Sequence, residues 1–388
     1  MSRRIIYLNP TAVHGGAEDA LLQMMRLARG LTLEPVLVTP ESGWLTDRCR
    51  EQQIPCELLP SLPNIVTNDS WHTQLRPWFI NAVAVAQLVR KWDACIVHSN
   101  NPRAAYHGGL GARLARVMAV THCHDIVNIP YRSIYKARLL DWLTDWTLVP
   151  SNAVQKVIVK AVPWLAPRIR TLYNGWDSAM FDVVSKIDLR TMFGLPSDTV
   201  VIGSVAAMTP WKGQDLLIDA FRLLAPQDAR LRLMLVGSAQ GRPEQQRYEA
   251  SLHERVAAYG LNDRVIFTGW REDALAIMKA LDIVVHVPTQ PDPLPTVLIQ
   301  ASALARPIVA AAIGGVPEIV PADERCGLLV QPSDPSALAE ALRNLVGNTV
   351  LQTELAANAH RRFLTRFSQA QMAAGLAETY QHCVPTGL

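Results

Sequence analysis

Short apolar, β-branched runs alternate with stretches of helical period along almost the whole chain. RRIIYLNP, EPVLVTP, DACIVHSN, VMAVTHCHD and DWTLVPSN read as buried strands in the first half. Between them lie helices such as Gly16 to Leu31, where Leu21, Met24, Ala28 and Leu31 share one face and mark core. The alternation pauses from about Trp176 to Pro196, then restarts with VVIGSVAAM, LRLMLVGSA, RVIFTGW, DIVVHVP, RPIVAAAI and CGLLVQP. Strands that are apolar at every position must be covered on both faces, which predicts parallel sheets wrapped by helices. Two such sets around an irregular stretch predict an α/β chain of two doubly wound domains, 1–177 and 199–365, joined by a linker at 178–198. Open sheets of this kind bind ligands outside the carboxyl ends of their strands, so the domains are expected to face a central cleft.

Composition narrows the class. Of 388 residues 49% are hydrophobic and 18% charged, the balance of a packed soluble protein. A net charge of +3 with no basic tract argues against a nucleic-acid partner. The six cysteines are scattered without a C-x-x-C pair, which suits a reducing compartment. MSRRIIYLNP has no apolar h-region, and the longest apolar stretch, from Trp78, falls short of the ~18 residues of a membrane span. The expected location is cytoplasmic, at most at the inner face of the membrane. A dinucleotide-dependent dehydrogenase is disfavoured, because no G-x-G-x-x-G follows a strand with an acid about 20 residues on.

Chemistry concentrates in the second half. In PDPLPTVLIQASA the prolines remove donors and leave the N–H groups of Leu294, Thr296 and Val297 at a helix start, with Gln300 eight residues after Asp292. Unpaired N–H groups and the helix dipole suit an anion there; the same loop also reads as a plain strand exit. Downstream, AAIGGVPEIV pairs two glycines after a strand, as needed where backbone closely approaches a ligand or turns sharply. Upstream, TPWKGQDLLIDAF puts Lys212 and Gly213 at a strand-to-helix turn, where a lysine is either a point charge aimed at the crevice or a solvated surface group. His122 and His124 of THCHD share a strand face, but no further ligand can be nominated, so no metal site is expected.

Taken in order and spacing, VAAMTPWKGQDLLIDAF, RVIFTGW and PDPLPTVLIQASALARPIVAAAIGGVPEIV resemble the donor half of the retaining glycosyltransferases of family GT4, which have the GT-B fold of two Rossmann-like domains. HGGAEDALL, VHSNNPRAA, THCHD, VPSNAV and RIRTLYNGWD resemble the other half, so the likeness runs from about residue 4 to 365. The resemblance implies transfer of a hexose-type sugar from a nucleoside diphosphate sugar, with retention and without a metal or other cofactor. It implies that His124, Lys212 and Asp292 act at the reacting centre. Gly15, Gly16, Gly237, Trp270, Leu294, Pro295, Thr296 and Gln300 would hold the donor, and Asn100 and Arg103 the acceptor. It also implies that residues 366–388 form a helix crossing back onto the first domain.

Three positions depart from the family pattern. Its two glutamates, separated by seven residues, are Asp292 and Gln300 here, and its arginine five residues before the lysine is Ala207. Lys212 would then carry more of the diphosphate charge unless Arg271 or Arg242 reaches in. These changes also admit a catalytically weak relative that serves as a binding or scaffold subunit. For the acceptor, a glycan or a lipid-linked acceptor in polysaccharide or glycolipid biosynthesis is expected. IPYRSIYKARLLDWLTDW, with Arg132, Lys136 and Arg138 among aromatics, reads equally as a peripheral membrane-contacting helix and as a helix packed on the core.

Overall fold

A strand buried on both faces needs apolar side chains at successive positions, and Ile5, Ile6, Tyr7 and Leu8 show this directly, with no exposed surface on any of them. The computed structural model describes residues 3–62, 71–126, 133–239 and 241–383, with the side chains of 71–75 left aside. Among the described residues thirteen strands form two sheets. The first contains β1 (Arg3–Leu8), β2 (Leu33–Thr39), β3 (Cys56–Leu58), β4 (Ala94–Ser99), β5 (Met118–His122), β6 (Trp146–Val149) and β7 (Ile169–Thr171). Its order is β3-β2-β1-β4-β5-β6-β7. The second contains β8 (Val200–Val205), β9 (Leu231–Val236), β10 (Val265–Gly269), β11 (Ile283–His286), β12 (Ile308–Ala311) and β13 (Leu328–Val330), in the order β10-β9-β8-β11-β12-β13. Neighbouring strands pair in parallel throughout both. Every run read as a strand is one, and β3 and β7 are additional short edge strands.

The chain divides into two units, Met1–Trp176 with Gln369–Leu388, and Asp177–Ser368. Each is a twisted parallel sheet with helices on its faces, a Rossmann-like domain. Residues 178–198 are built into the second unit. Asp188 caps the short helix Leu189–Met192, and the Arg190 guanidinium donates to Thr199 O at 2.7 Å and pairs with Asp282, whose carboxylate also accepts the Val201 N–H.

The last helix, Gln369–Gln381, belongs to the first unit. Gln369 N–H donates to Trp176 O at 2.8 Å, and Gly175 N–H to the Met372 sulfur at 3.3 Å. Met372, Leu376 and Tyr380 join Leu21, Met24 and Ala28 of the helix Gly16–Gly30 in one buried cluster. The Tyr380 hydroxyl shares a hydrogen bond with that of Tyr7 at 2.9 Å and lies 2.7 Å from His98 Nδ1. A buried hydroxyl without such partners would be costly, so these contacts fix the helix angularly as well as by apolar burial.

Candidate functional site

In a doubly wound sheet the strand order reverses at one point, and the loops leaving the two strands there diverge and open a crevice. In the first unit that point lies between β1 and β4, where Leu8 pairs with Ser99 and the next residues out are Asn9 and Asn100. Asn100 Nδ2 donates to Asn9 Oδ1 at 2.9 Å, and His124, two residues past β5, sets Nε2 2.9 Å from Asn100 Oδ1. Asn9 Nδ2 donates in turn to Glu18 Oε1 at 3.2 Å. Gly15 precedes the helix Gly16–Gly30 in extended backbone, and a Cβ on it would meet Glu18 Oε2 at 2.8 Å. Arg103 is exposed on the helix Pro102–Ala115, which Asn101 caps by accepting the Ala104 N–H at 2.8 Å, with proline at the first position.

Behind His124 stands a column of rings. His122 stacks on His124 with centroids 3.9 Å apart, and His98 tilts against His122 at 5.9 Å. Neither ring nitrogen of His122 has a hydrogen-bond partner among the described residues. Burial pushes His98 down to about 3, His124 down to about 4, and His122 well below its ordinary value. All three are neutral in the folded chain at pH 7, whereas unfolded they would bind protons below about pH 6.5. The unfolded state then holds more protons, so their contribution to stability is lost as pH falls from there towards the folded values. Glu18 and Asp19, whose carboxyls burial raises, act the other way. The urea midpoint of a His122→Leu variant is therefore expected to fall less between pH 6.5 and 4.5 than that of the parent; parallel curves would refute this account.

In the second unit the reversal lies between β8 and β11. The chain leaves β8 through the tight turn Pro210–Lys212 and enters the helix Gln214–Leu224 at Gly213, which has φ 73° and leaves no room for a side chain, since a Cβ would lie 2.0 Å from Val287 O. That turn aims Lys212 across the opening. Its Nζ bonds Asp292 Oδ2 at 2.7 Å and sits 3.9 Å from the Trp211 ring centroid. His286, the last residue of β11, places Nε2 3.2 Å from the same Asp292 oxygen. Asp292 is 5% exposed. Burial alone would raise its carboxyl, but the His286 hydrogen bond and the Lys212 charge outweigh it and hold it well below the usual carboxylate range. His286 itself is pushed down by burial, the Asp292 hydrogen bond notwithstanding. The arrangement is one ammonium, one carboxylate and one imidazole, tied together at a strand-end crevice.

The proline loop is held from behind. Gly315 N–H donates to Asp292 O at 2.8 Å, and Cβ atoms on Gly314 and Gly315 would lie 2.2 Å from Asp292 O and 2.1 Å from Pro293 O. The paired glycines thus approach the loop backbone itself. Leu294 and Pro295 are buried, while Thr296 and Gln300 keep partial exposure on the helix Thr296–Ala303. Gly237 follows β9 and donates its N–H to Gly269 O at 2.9 Å; Trp270, next along, is 69% exposed. Arg271 is already engaged by Asp273 through two bonds of 2.7 Å, and the Ala207 carbonyl accepts from Gln214 Nε2 at 2.9 Å.

Thus Lys212 and Asp292, both expected at the reacting centre, meet in one ion pair, and His124 and Asn100 meet in the other unit. Sequence reading passes over His286, Asn9 and Glu18. The only signal for His286 is a histidine closing an apolar strand six residues before Asp292. Among the described residues no three His, Cys, Asp or Glu side chains are grouped to hold a metal ion, and no helix is long and apolar enough to cross a membrane. Of the basic segment, 129–132 lies outside the described residues; the helix Ile134–Leu143 buries Ala137, Leu140 and Leu143 and exposes Ile134, Tyr135 and Trp142.

Comparison with known proteins agrees with this division. Residues 14–179 match the model for Glycosyltransferase Family 4, and residues 185–362 that for Glycosyl transferases group 1. The D-inositol 3-phosphate glycosyltransferase of Stackebrandtia nassauensis is 34% identical over 213 residues, 53% of this chain and 47% of that one. Its counterpart in Mycolicibacterium smegmatis is 26% identical over 298 residues, 76% of this chain and 63% of that one. The chain spans about half the length of the curated relatives it matches. Anabaena Alr3699/HepE, solved in complex with UDP, superposes with a TM-score of 0.83 at 27% identity, covering 98% of this chain and 100% of that one. A glycosyltransferase from Rickettsia africae ESF-5 shares the fold, with a TM-score of 0.87 at 20% identity over 100% of both chains.

Proposed function

The chain belongs to the family 4 glycosyltransferases, with the GT-B fold, and from that premise we propose that it moves a hexose-type sugar from a nucleoside diphosphate sugar to an acceptor hydroxyl, with retention at the anomeric carbon. The observation that carries this reading is the Lys212–Asp292–His286 constellation at the β8/β11 reversal. When a glycosyl–diphosphate bond breaks, negative charge collects on the leaving nucleotide, and fixed positive potential at that spot lowers the barrier. Lys212 supplies that potential in place of a metal, and it is positioned beforehand by Asp292 and the Trp211 ring. The helix start at Thr296 adds its N–H groups. Asp292 stays ionised at any working pH and orients the ammonium. Because one of its oxygens is engaged by two donors, it suits hydroxyl binding better than nucleophilic attack.

Uridine diphosphate sugars are the first donors to try, since the Anabaena protein was solved with UDP and with UDP-glucose. The acceptor is a glycan or a lipid-linked acceptor of polysaccharide or glycolipid biosynthesis, reached by a cytoplasmic chain that touches the inner face of a membrane through Tyr135, Trp142, Lys136 and Arg138. Gln300 and Ala207 favour a second reading, a catalytically weak binding subunit.

A thermal-shift screen of nucleoside diphosphates, followed by assay of the matching sugar nucleotides for diphosphate release, tests both. Stabilisation with turnover is the expected result. Stabilisation without turnover supports the binding subunit, and neither effect with any nucleotide overturns the proposal. Anionic vesicles added at low and high salt test the membrane contact, which should weaken as salt rises; salt-independent or absent binding rejects it.

A further inference from the structure

We propose that Asn9 and Asn100, anchored by Glu18 and two backbone carbonyls, lock His124 as the Nε2–H tautomer, so that its Nδ1 presents a lone pair to a substrate hydroxyl. The substrate half of this statement rests on the transferase reading; the tautomer does not.

A carboxamide nitrogen only donates and its oxygen only accepts, so each amide in a chain transmits a direction. Asn9 Nδ2 lies 2.5 Å from Thr11 O and 3.2 Å from Glu18 Oε1. A backbone carbonyl accepts without offering a hydrogen, so Thr11 O requires the nitrogen of Asn9 to be on that side. Its oxygen therefore faces Asn100, whose Nδ2 meets Asn9 Oδ1 at 2.9 Å and Ala17 O at 3.4 Å. The second carbonyl fixes Asn100 in the same sense. Its oxygen is then left facing His124 Nε2 at 2.9 Å, and a ring nitrogen facing an acceptor must carry the hydrogen.

Backbone bonds keep the two asparagines in place, with Asn9 N–H on Val38 O at 3.0 Å and Asn100 N–H on Leu8 O at 2.9 Å. Burial holds His124 down to about 4, so at neutral pH the ring carries one hydrogen, not two. With that hydrogen on Nε2, Nδ1 carries only its lone pair. A bare nitrogen attracts a hydroxyl hydrogen and repels a phosphate or carbonyl oxygen. His124 is thereby set to recognise a sugar or acceptor hydroxyl rather than the diphosphate. Asn9, Asn100 and Glu18 act through it as positioning residues, and the glycine at position 15 leaves the Glu18 carboxylate the space it occupies.

The test is a two-bond ¹H–¹⁵N correlation spectrum of histidine-labelled protein at neutral pH, with His124 assigned by its absence from a His124→Phe variant. The parent is expected to show the Nε2–H pattern. Asn100→Leu removes the acceptor and should give mixed tautomers. Asn100→Asp keeps an acceptor at Nε2, so the tautomer should persist while the added negative charge moves His124 titration upward by about one to three pH units. An Nδ1–H pattern in the parent, or an unmoved tautomer in Asn100→Leu, overturns the proposal; if Asn100→Leu does not fold, an unmoved titration in Asn100→Asp does so. None of these spectra depends on turnover, so loss of the transferase assignment would leave them intact.

Discussion

Replacing Lys212 by alanine is expected to lower kcat/KM for the sugar nucleotide about 10²–10³-fold, the range seen when one preorganised group facing developing negative charge is removed. The same change should destabilise the fold, because Asp292 would remain buried and ionised with His286 as its remaining partner. Removing one member of a buried pair costs about 3–5 kcal/mol; here about 2 kcal/mol is expected, since the Lys212 side chain is 19% exposed and His286 stays. The two effects separate in a cycle with Asp292→Asn. In the double variant no carboxylate is stranded, so the urea midpoint should recover most of its loss while kcat/KM stays low. Full kcat/KM in Lys212→Ala would remove the lysine from the mechanism. Recovery of activity together with stability would reduce it to a structural role.

Gly314→Ala is expected to cost about 4 kcal/mol or more, at the exceptional end for a single methyl group. Gly314 has φ 62°, and a Cβ there would lie 2.2 Å from Asp292 O and 2.6 Å from Asp292 N. Those are backbone atoms, unable to rotate away like the tip of a side chain, so the loop carrying Asp292 must shift as a body. Gly347 separates strain from collision. It has φ 78° but nothing within 4 Å of a built Cβ, so Gly347→Ala should cost only the about 1–2 kcal/mol of left-handed backbone. Urea unfolding of both variants gives the comparison, and equal losses would show that steric contact with the Asp292 loop is unimportant.

What could be read in advance follows from the range of each interaction. A strand such as β11, apolar at Ile283, Val284 and Val285, declares itself within four residues, because double-faced burial is written at each position. β3 and β7 are three residues long at the edges of their sheet, and Cys56 and Leu58 are exposed, so they carry no such signature. The Lys212–Asp292 pair spans 80 positions and the Asn9–Asn100 bond spans 91. Only the order of strands brings those partners together, and strand order is a property of the folded sheet. Residue types at strand ends could be nominated; which of them touch could not. The glycine pair after β12 reads in the sequence as a close approach to a ligand or a sharp turn; what it approaches is the backbone at Asp292 and Pro293, which belongs to a different loop.

The bond between Gln369 N–H and Trp176 O has a topological consequence. Residues 177–368 leave and rejoin their host at adjoining points, so the second unit is a guest inserted into a continuous first one. A short bridge from Trp176 to Gln369 would excise the guest and leave the host's tyrosine-tethered closing helix in place. A cut at Ser368 would instead strip that helix and lay bare the apolar face of Leu21 and Met24.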